Sequence, residues 1–445
     1  MSAFLTTTGY YTIIRILLQY FFIIYSINIL NCGGKFINTA AIICEYNPFH
    51  NGHMLQIKKI RELFPDKAIL CLMSGNFVQR AEVAVADKYT RAKCAAECGA
   101  NLVLELPFPF SMMSAEGFAA AGISILNRIP GVDTLVFGAE NDDSEHLMEC
   151  AKILISPLFK EVLHSELEKN PSLSYPAVRQ LAAELITGKS FDMMKKPNNI
   201  LAIEYCKAII NSGSVIMPAV HARSGPDYYS LSPDEGISSA TYIRHLLSSA
   251  ELSGGDGKNC SDIISRFVPA ETLPILDEAY KKGLFPTFAD SLDKLILFTA
   301  RTQTPDKLKE VYSCDSLEYL IIKNAHSCST VKELIDETRS KRFTESRVRR
   351  AVLSVLLNIS RRVVNETPSY TVVLAADITG RKILHSIKKA EGLHVFTKPA
   401  HALRSKDPNV SFQAVRAFNA DSTYTLACKG SLVGDYFTKC GPFVK

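Results

Sequence analysis

The sequence predicts an α/β protein: a doubly wound, Rossmann-like parallel sheet, then a mainly helical C-terminal region that ends in a small α/β piece. Three observations carry this. Short, mostly apolar runs of the kind buried in a parallel sheet recur at 40–44, 67–73, 102–106 and 134–137. Each is followed by turn residues and then by helical periodicity, and four such units in about a hundred residues are the mark of a doubly wound sheet. Beyond the polar stretch 251–258 the pattern changes to long helical segments.

At 445 residues the chain is long enough for two or three cores, and 47% hydrophobic with 21% charged residues is ordinary globular composition. The organisation expected is an apolar extension over 1–37, an α/β domain over 38–250 and a C-terminal region over 259–445. A formal net charge of +5 gives no overall affinity for polyanions, so any such surface must come from local clustering. Twelve cysteines without a CxxC pair suit a reducing cytoplasm, and Cys94 with Cys98 lacks further ligands for zinc. Over 13–30 only Arg15, Gln19, Ser26 and Asn28 interrupt an apolar run whose length borders on a membrane span. Two readings stay open: a membrane anchor, or a start assigned too far upstream, with Gly33-Gly34-Lys35 encodable by a purine run and the true start near Ile37.

Ala40-Ala41-Ile42-Ile43-Cys44 opens the sheet. The polar turn Glu45-Tyr46-Asn47-Pro48-Phe49-His50-Asn51-Gly52-His53 follows, then Ile57, Ile60, Leu63 and Phe64 at helical spacing. Ligands sit at such strand ends. Gly52 lets the backbone approach a ligand, His50 and His53 are suited to donate to phosphate oxygens, and the helix start adds N–H groups and a favourable dipole. The second strand leads through Ser74-Gly75-Asn76 to Gln79, Arg80 and Glu82, a polar loop that reads equally as solvated surface or as a wall for substrate. A helix over 87–98, capped by Asp87 and stopped at Gly99, precedes the strand in which Glu105 requires a partner or an edge position. The alanine- and glycine-rich helix over 114–127 is small-faced enough to pack close on the sheet, and Gly138 marks a close backbone approach after the fourth strand.

Residues 144–186 are helical by pattern, Pro197-Asn198-Asn199 opens a further helix, and 215–220 is the strand that closes the sheet. That strand delivers Arg223, a guanidinium suited to phosphate. Ser238, Ser239, Thr241 and Arg244 place hydroxyls and a cation at another helix start. Downstream, Arg339, Lys341, Arg342, Arg347, Arg349 and Arg350 crowd around Glu345, a pattern of a solvated helix face that would equally follow an RNA backbone. Arg361 and Arg362 extend the basic side, and a strand over 370–375 with a basic helix over 380–389 forms the terminal α/β piece.

His50-Asn51-Gly52-His53 after an apolar strand resembles the HxGH signature of the nucleotidyltransferase superfamily, which activates substrates through the α-phosphate of ATP. The longer string 45–53, with Met73-Ser74-Gly75-Asn76-Phe77-Val78-Gln79-Arg80, Phe137-Gly138-Ala139-Glu140 and Pro197-Asn198-Asn199-Ile200-Leu201, resembles the bacterial tRNA(Met) cytidine acetate ligases from about Ala40 to the C-terminus. The resemblance implies a cytoplasmic ligase with ATP as co-substrate, Mg2+ on its β- and γ-phosphates, acetate as the acid and acetyl-adenylate as the intermediate. The acceptor would be the wobble cytidine of elongator tRNA(Met), giving N4-acetylcytidine. No protein partner is implied, and membrane contact only if the extension is translated.

It makes His50 and His53 catalytic and assigns ATP contacts to Ile43, Cys44, Glu45, Tyr46, Asn47, Pro48, Phe49, Asn51, Gly52, Gln56, Gly138, Asn198 or Asn199, Arg223, Ser238, Ser239, Thr241 and Arg244. Ala240, between the hydroxyls, departs mildly from the commonest serine-rich form. Two other classes stay open: a small-molecule adenylyltransferase, which needs no basic C-terminal half, and a non-catalytic RNA-binding protein, which turns over no ATP.

Overall fold

Four of the apolar runs become adjacent strands. In a computed structural model of the chain, residues 36–140, 143–222, 238–252, 260–311, 314, 316–390 and 392–445 are described. The apolar stretch at 13–30, Arg223 and most of the linker at 251–258 lie outside them. β1 (Thr39–Cys44), β2 (Ala68–Ser74), β5 (Leu102–Leu106), β6 (Val132–Ala139) and β7 (Met217–Ala222) run parallel, while β3 (Phe77–Val78) and β4 (Glu82–Val83) form a small antiparallel hairpin between β2 and β5. With β8 (Tyr370–Ala376) and β10 (Phe443–Val444) from the end of the chain, the strand order is β10-β8-β5-β2-β1-β6-β7. From β1 the chain winds outward through β2 to β5, then returns to lay β6 and β7 on the other side. The switch point therefore lies between β1 and β6, and there the carboxyl ends of the strands open a crevice.

The helices that build the site and its support are α1 (Asn51–Leu63), α2 (Lys88–Glu97), α3 (Ala115–Leu126), α4 (Pro197–Asn211), α5 (Ala240–Leu252), α6 (Glu345–Leu357) and α7 (Pro408–Ala427); all but α2 and α7 supply residues to the crevice wall, and those two are joined by Lys88 and Asp421. The small-faced helix expected over 114–127 is α3, and its packing explains its composition. A Cβ on Gly122 would lie 2.5 Å from Ile43 Cδ1, so the glycine lets α3 sit this close to the strand before the polar turn without displacing that side chain. Among the described residues no helix is long and apolar enough to cross a membrane.

The terminal α/β piece is not a separate body. Its strand, β8 (Tyr370–Ala376), joins the main sheet antiparallel to β5, with β9 (His394–Phe396) and β10 (Phe443–Val444) along its outer side, and residues 38–445 cluster as one unit. Without β8, β5 would end the sheet with an open row of N–H and C=O groups. Side chains reinforce the join: Thr371 Oγ1 donates to the Glu105 carbonyl at 2.6 Å and Asn101 Nδ2 donates to Asp377 Oδ2 at 2.7 Å. A Cβ on Gly380 would lie 2.1 Å from the Asn101 carbonyl oxygen, so the chain after β8 packs directly on backbone.

Glu105 has the partner its position requires. Lys88 Nζ lies 2.8 Å from Glu105 Oε1 and 2.7 Å from Asp421 Oδ2 of α7, all three side chains being almost out of contact with solvent. Burial works against the charge on Lys88, but Asp421 and Glu105 outweigh it and raise the ammonium pKa well above the ordinary range. Asn76 ties the cluster to the turn after β2, donating to Asp421 Oδ1 at 2.9 Å while accepting from the Lys88 amide at 2.8 Å.

Candidate nucleotide site

The turn after β1 folds on itself before it meets anything distant. His50 caps α1: its Nδ1 accepts from Gly52 N at 3.0 Å, and its own amide donates to His53 Nδ1 at 3.2 Å. A neutral imidazole whose Nδ1 accepts carries its proton on Nε2, so each ring presents a donor on its far edge. The rings stack with centroids 3.7 Å apart, and both line a cavity of about 1210 Å³ at the switch point. Gly52 is required for this arrangement, since a Cβ there would lie 2.9 Å from His50 Cε1. Tyr46, buried and at φ +50, is held in the left-handed region by edge contacts to Phe49 and His53, each at 4.8 Å, and by its hydroxyl, 3.3 Å from Cys71 Sγ. From below, the fully buried guanidinium of Arg91 donates to the carbonyls of Glu45, Ser74, Gly75 and Ala86, locking the ends of β1 and β2 together.

The facing wall comes from β6, α4 and α5. Glu140 receives the N-terminus of α4: Oε1 accepts from Asn198 Nδ2 at 2.7 Å and Oε2 from Asn199 N at 2.8 Å, while Asn199 Oδ1 accepts from Glu140 N at 3.0 Å. The two asparagines therefore divide their work. Asn199 is wholly buried against Glu140, and Asn198 lines the cavity. Ser239 caps α5 by accepting from Tyr242 N at 3.1 Å. Arg244 Nη1 donates to the Asn47 carbonyl at 2.8 Å and Nη2 lies 2.9 Å from Glu82 Oε2, which fastens α5 onto the turn after β1. Three buried polar atoms on cavity-lining residues, Asn47 Nδ2, Tyr205 Oη and Ser238 Oγ, have no hydrogen-bond partner among the described residues. Such atoms are costly unless a ligand supplies the bond.

Of the expected ATP contacts, the cavity brings together Ile43, Cys44, Glu45, Tyr46, Asn47, His50, Gly52, His53, Gln56, Gly138, Asn198, Ser238, Ser239 and Arg244. Pro48, Phe49, Asn51, Asn199 and Thr241 are not in its wall, and Arg223 lies outside the described residues. Asn51 turns away because its amide and side chain donate to the carbonyls of Phe267 and Arg266, at 2.9 and 3.0 Å. Phe49 is core beneath Tyr46.

The basic run over 339–350 needs the larger correction. Arg350 is only 8% exposed, donates to the carbonyls of Met112 and Gln79 at 2.9 and 3.0 Å, and stands in the cavity wall; it is not on an exposed RNA-facing surface. Arg349 is bound to Glu82 at 2.9 Å and to Glu345, and Arg339 to Asp336 and Glu345. Lys341 is exposed, and Arg342 and Arg347 lie over the ring of Phe343. Gln79 and Arg80 prove to be wall. Lys58, Lys59 and Lys195 also line the cavity, and no motif in the sequence singles them out. The first two follow from helical spacing after His53, but nothing local marks Lys195.

Residues 37–433 match the family described as HIGH Nucleotidyl Transferase. The chain is 34% identical over 410 residues to a "tRNA(Met) cytidine acetate ligase" of Caldanaerobacter subterraneus, covering 90% of this chain and 98% of that one. It is 32% identical over 404 residues to the protein of that name from Acetivibrio thermocellus, covering 88% and 96%. A crystal structure of Thermotoga maritima TmcAL bound with alpha-thio ATP superposes with a TM-score of 0.81 at 27% identity, covering 92% of this chain and all of that one.

Proposed function

The chain belongs to the HIGH nucleotidyl transferase family and, within it, to the tRNA(Met) cytidine acetate ligases, and from that premise we infer that it activates acetate with ATP and transfers the acetyl group to a tRNA cytidine. It is an ATP-dependent ligase. The finer reading is that acetate attacks the α-phosphate to form acetyl-adenylate, which then acylates the exocyclic amine of the wobble cytidine of elongator tRNA(Met). The observation that carries it is the pair of stacked imidazoles. Their Nδ1 atoms are committed to backbone amides, so their Nε2–H edges serve as donors to the charge that develops on phosphate oxygens in the transition state.

The remaining wall residues fit that task. Asn47 Nδ2 and Ser238 Oγ offer the unmade hydrogen bonds a bound nucleotide would complete, and Arg244 ties the two motifs together. Among the described residues no three His, Cys, Asp or Glu side chains converge, so the donor set fits a Mg2+ that arrives on the triphosphate. Bound there, it would neutralise β- and γ-phosphate charge. Incubating the purified protein with ATP, labelled acetate and bulk tRNA tests the proposal: label should enter tRNA only with ATP present and release AMP. Label-free tRNA with pyrophosphate released on adding a small phosphorylated acceptor would make it a small-molecule adenylyltransferase, and no ATP turnover would leave an RNA-binding protein.

A further inference from the structure

We infer that Glu45 is the general base of the second half-reaction, accepting the proton of the acceptor amine as that amine attacks the acyl-adenylate. The inference rests on the acetyl-transfer reading above. An exocyclic cytosine amine is a weak nucleophile because its lone pair is delocalised into the ring, and it becomes strongly acidic as the new bond forms, so the transfer needs a proton acceptor inside the cavity. Few groups can serve, and His221, near the end of β7 in the cavity wall, is the rival base. His50 and His53 have spent Nδ1 on backbone amides and present N–H edges, which makes them donors. Among the described residues only two carboxylates line the cavity, Glu45 and Glu62. Glu62 is 67% exposed and pairs with Lys59 at 3.4 Å, far into solvent.

Glu45 is placed differently. It is the residue directly after β1, its carbonyl fixed by Arg91, and its Oε1 accepts from Gln79 N at 2.9 Å. Among the described residues its carboxylate accepts no other hydrogen bond, which leaves Oε2 for a substrate donor. Burial first, and then the neighbouring charge of Glu82, push its pKa above the ordinary carboxylate value, with Arg80, the Gln79 amide and Arg244 opposing. Arg91 from α2 and Tyr205 from α4 also face it. A carboxylate that holds protons more tightly than usual, yet stands in the cavity wall and is not fully buried, is a better base at neutral pH than an exposed one. In the step, the amine lone pair forms the N–C bond and Glu45 Oε2 takes the amine proton. The C–O bond to the phosphate breaks as AMP leaves with the electron pair, and Glu45 returns its proton to water.

The test uses Glu45→Gln, which keeps an oxygen for the Gln79 amide. Two rates are read on the full-length protein: acetate-dependent ATP–pyrophosphate exchange, and acetyl transfer to tRNA(Met) from supplied acetyl-adenylate. The expected result is that transfer falls about 10²–10⁴-fold and by a much larger factor than exchange. Wild-type transfer should rise with pH through the Glu45 titration and level off, and the variant should lack that rising limb. Transfer near the wild-type rate in Glu45→Gln overturns the inference, as does equal loss of both reactions, or retention in Glu45→Gln together with loss in His221→Gln. Absence of exchange in the wild type would sink the acetate reading, whereas transfer from supplied acetyl-adenylate would still decide the role of Glu45.

Discussion

The cavity has two walls built on opposite principles. The wall after β1 is assembled from contacts two or three residues apart: Gly52 to His50, and His50 to His53. The wall from the second half of the chain is assembled across hundreds of residues. Arg350, in the wall itself, reaches Gln79, and behind it Arg349 reaches Glu82 and Asp421 reaches Lys88. The histidine cap of the first can form as soon as α1 does. The second exists only when the chain has closed, and it spends cations on backbone carbonyls and buried carboxylates that sequence spacing would leave to solvent. The difference teaches that charge density along a chain says where cations are plentiful, while only the fold says which are already committed.

The largest expected effect tests the long-range wall. Lys88→Ala removes the one cation between Glu105 and Asp421 and strands two buried carboxylates, which should cost about 3–5 kcal/mol of folding stability. Urea denaturation measures it, and a loss below about 1 kcal/mol would mean the cluster does not hold α7 to the sheet. The matching test of the local wall reads activity. His53→Ala gives up the capping bond from the His50 amide, about 0.5–1.5 kcal/mol, and should lower the adenylation rate about 10²–10³-fold, as expected for removal of one donor to developing phosphate charge. If both variants lost stability alike, the two walls would not be separable.

An intermediate effect belongs to the joint between them. Arg350→Ala leaves the carbonyls of Met112 and Gln79 without their charged donor, at about 1.5–3 kcal/mol for such bonds. Because the Gln79 amide holds Glu45, the variant should also slow acetyl transfer more than pyrophosphate exchange. Equal effects on the two half-reactions would show that Arg350 supports the wall as a whole and not the Glu45 side of it.

This contrast also explains how much the sequence disclosed. The parallel strands, their order of appearance, the glycine-faced α3 and the turn 45–53 are legible because each is a local pattern: apolar runs, helical spacing, a cap. Joining of β8 to β5 is not legible, since an apolar strand does not say which edge it will cover. Asn198 and Asn199 stand as equals in the sequence because both open the same helix, and they separate only through Glu140, which lies 58 and 59 residues away. Arg350 reads as surface for the same reason: its two acceptors are main-chain carbonyls, which carry no signature in sequence.

The smallest expected effect concerns what remains of the basic run. With Arg350 buried, Arg349 on Glu82 and Arg339 on acidic neighbours, the guanidiniums placed for a polyanion are those of Arg342 and Arg347, 5.2 and 5.4 Å from the Phe343 ring, with exposed Lys341 beside them. Ser346, one residue from Arg347, lines the cavity, so an RNA following these cations would reach the mouth of the nucleotide site. Arg342→Gln with Arg347→Gln should weaken tRNA binding several-fold and lower the slope of log affinity against log salt by about one to two, roughly one for each phosphate no longer neutralised. The fold should be little affected, because each guanidinium is seen over the Phe343 ring, a contact worth about 0.5–1 kcal/mol. Filter binding across a salt series reads both numbers. An unchanged slope would place the RNA path on another face, and a collapse of stability would return Arg342 and Arg347 to the long-range wall from which this variant is meant to separate them.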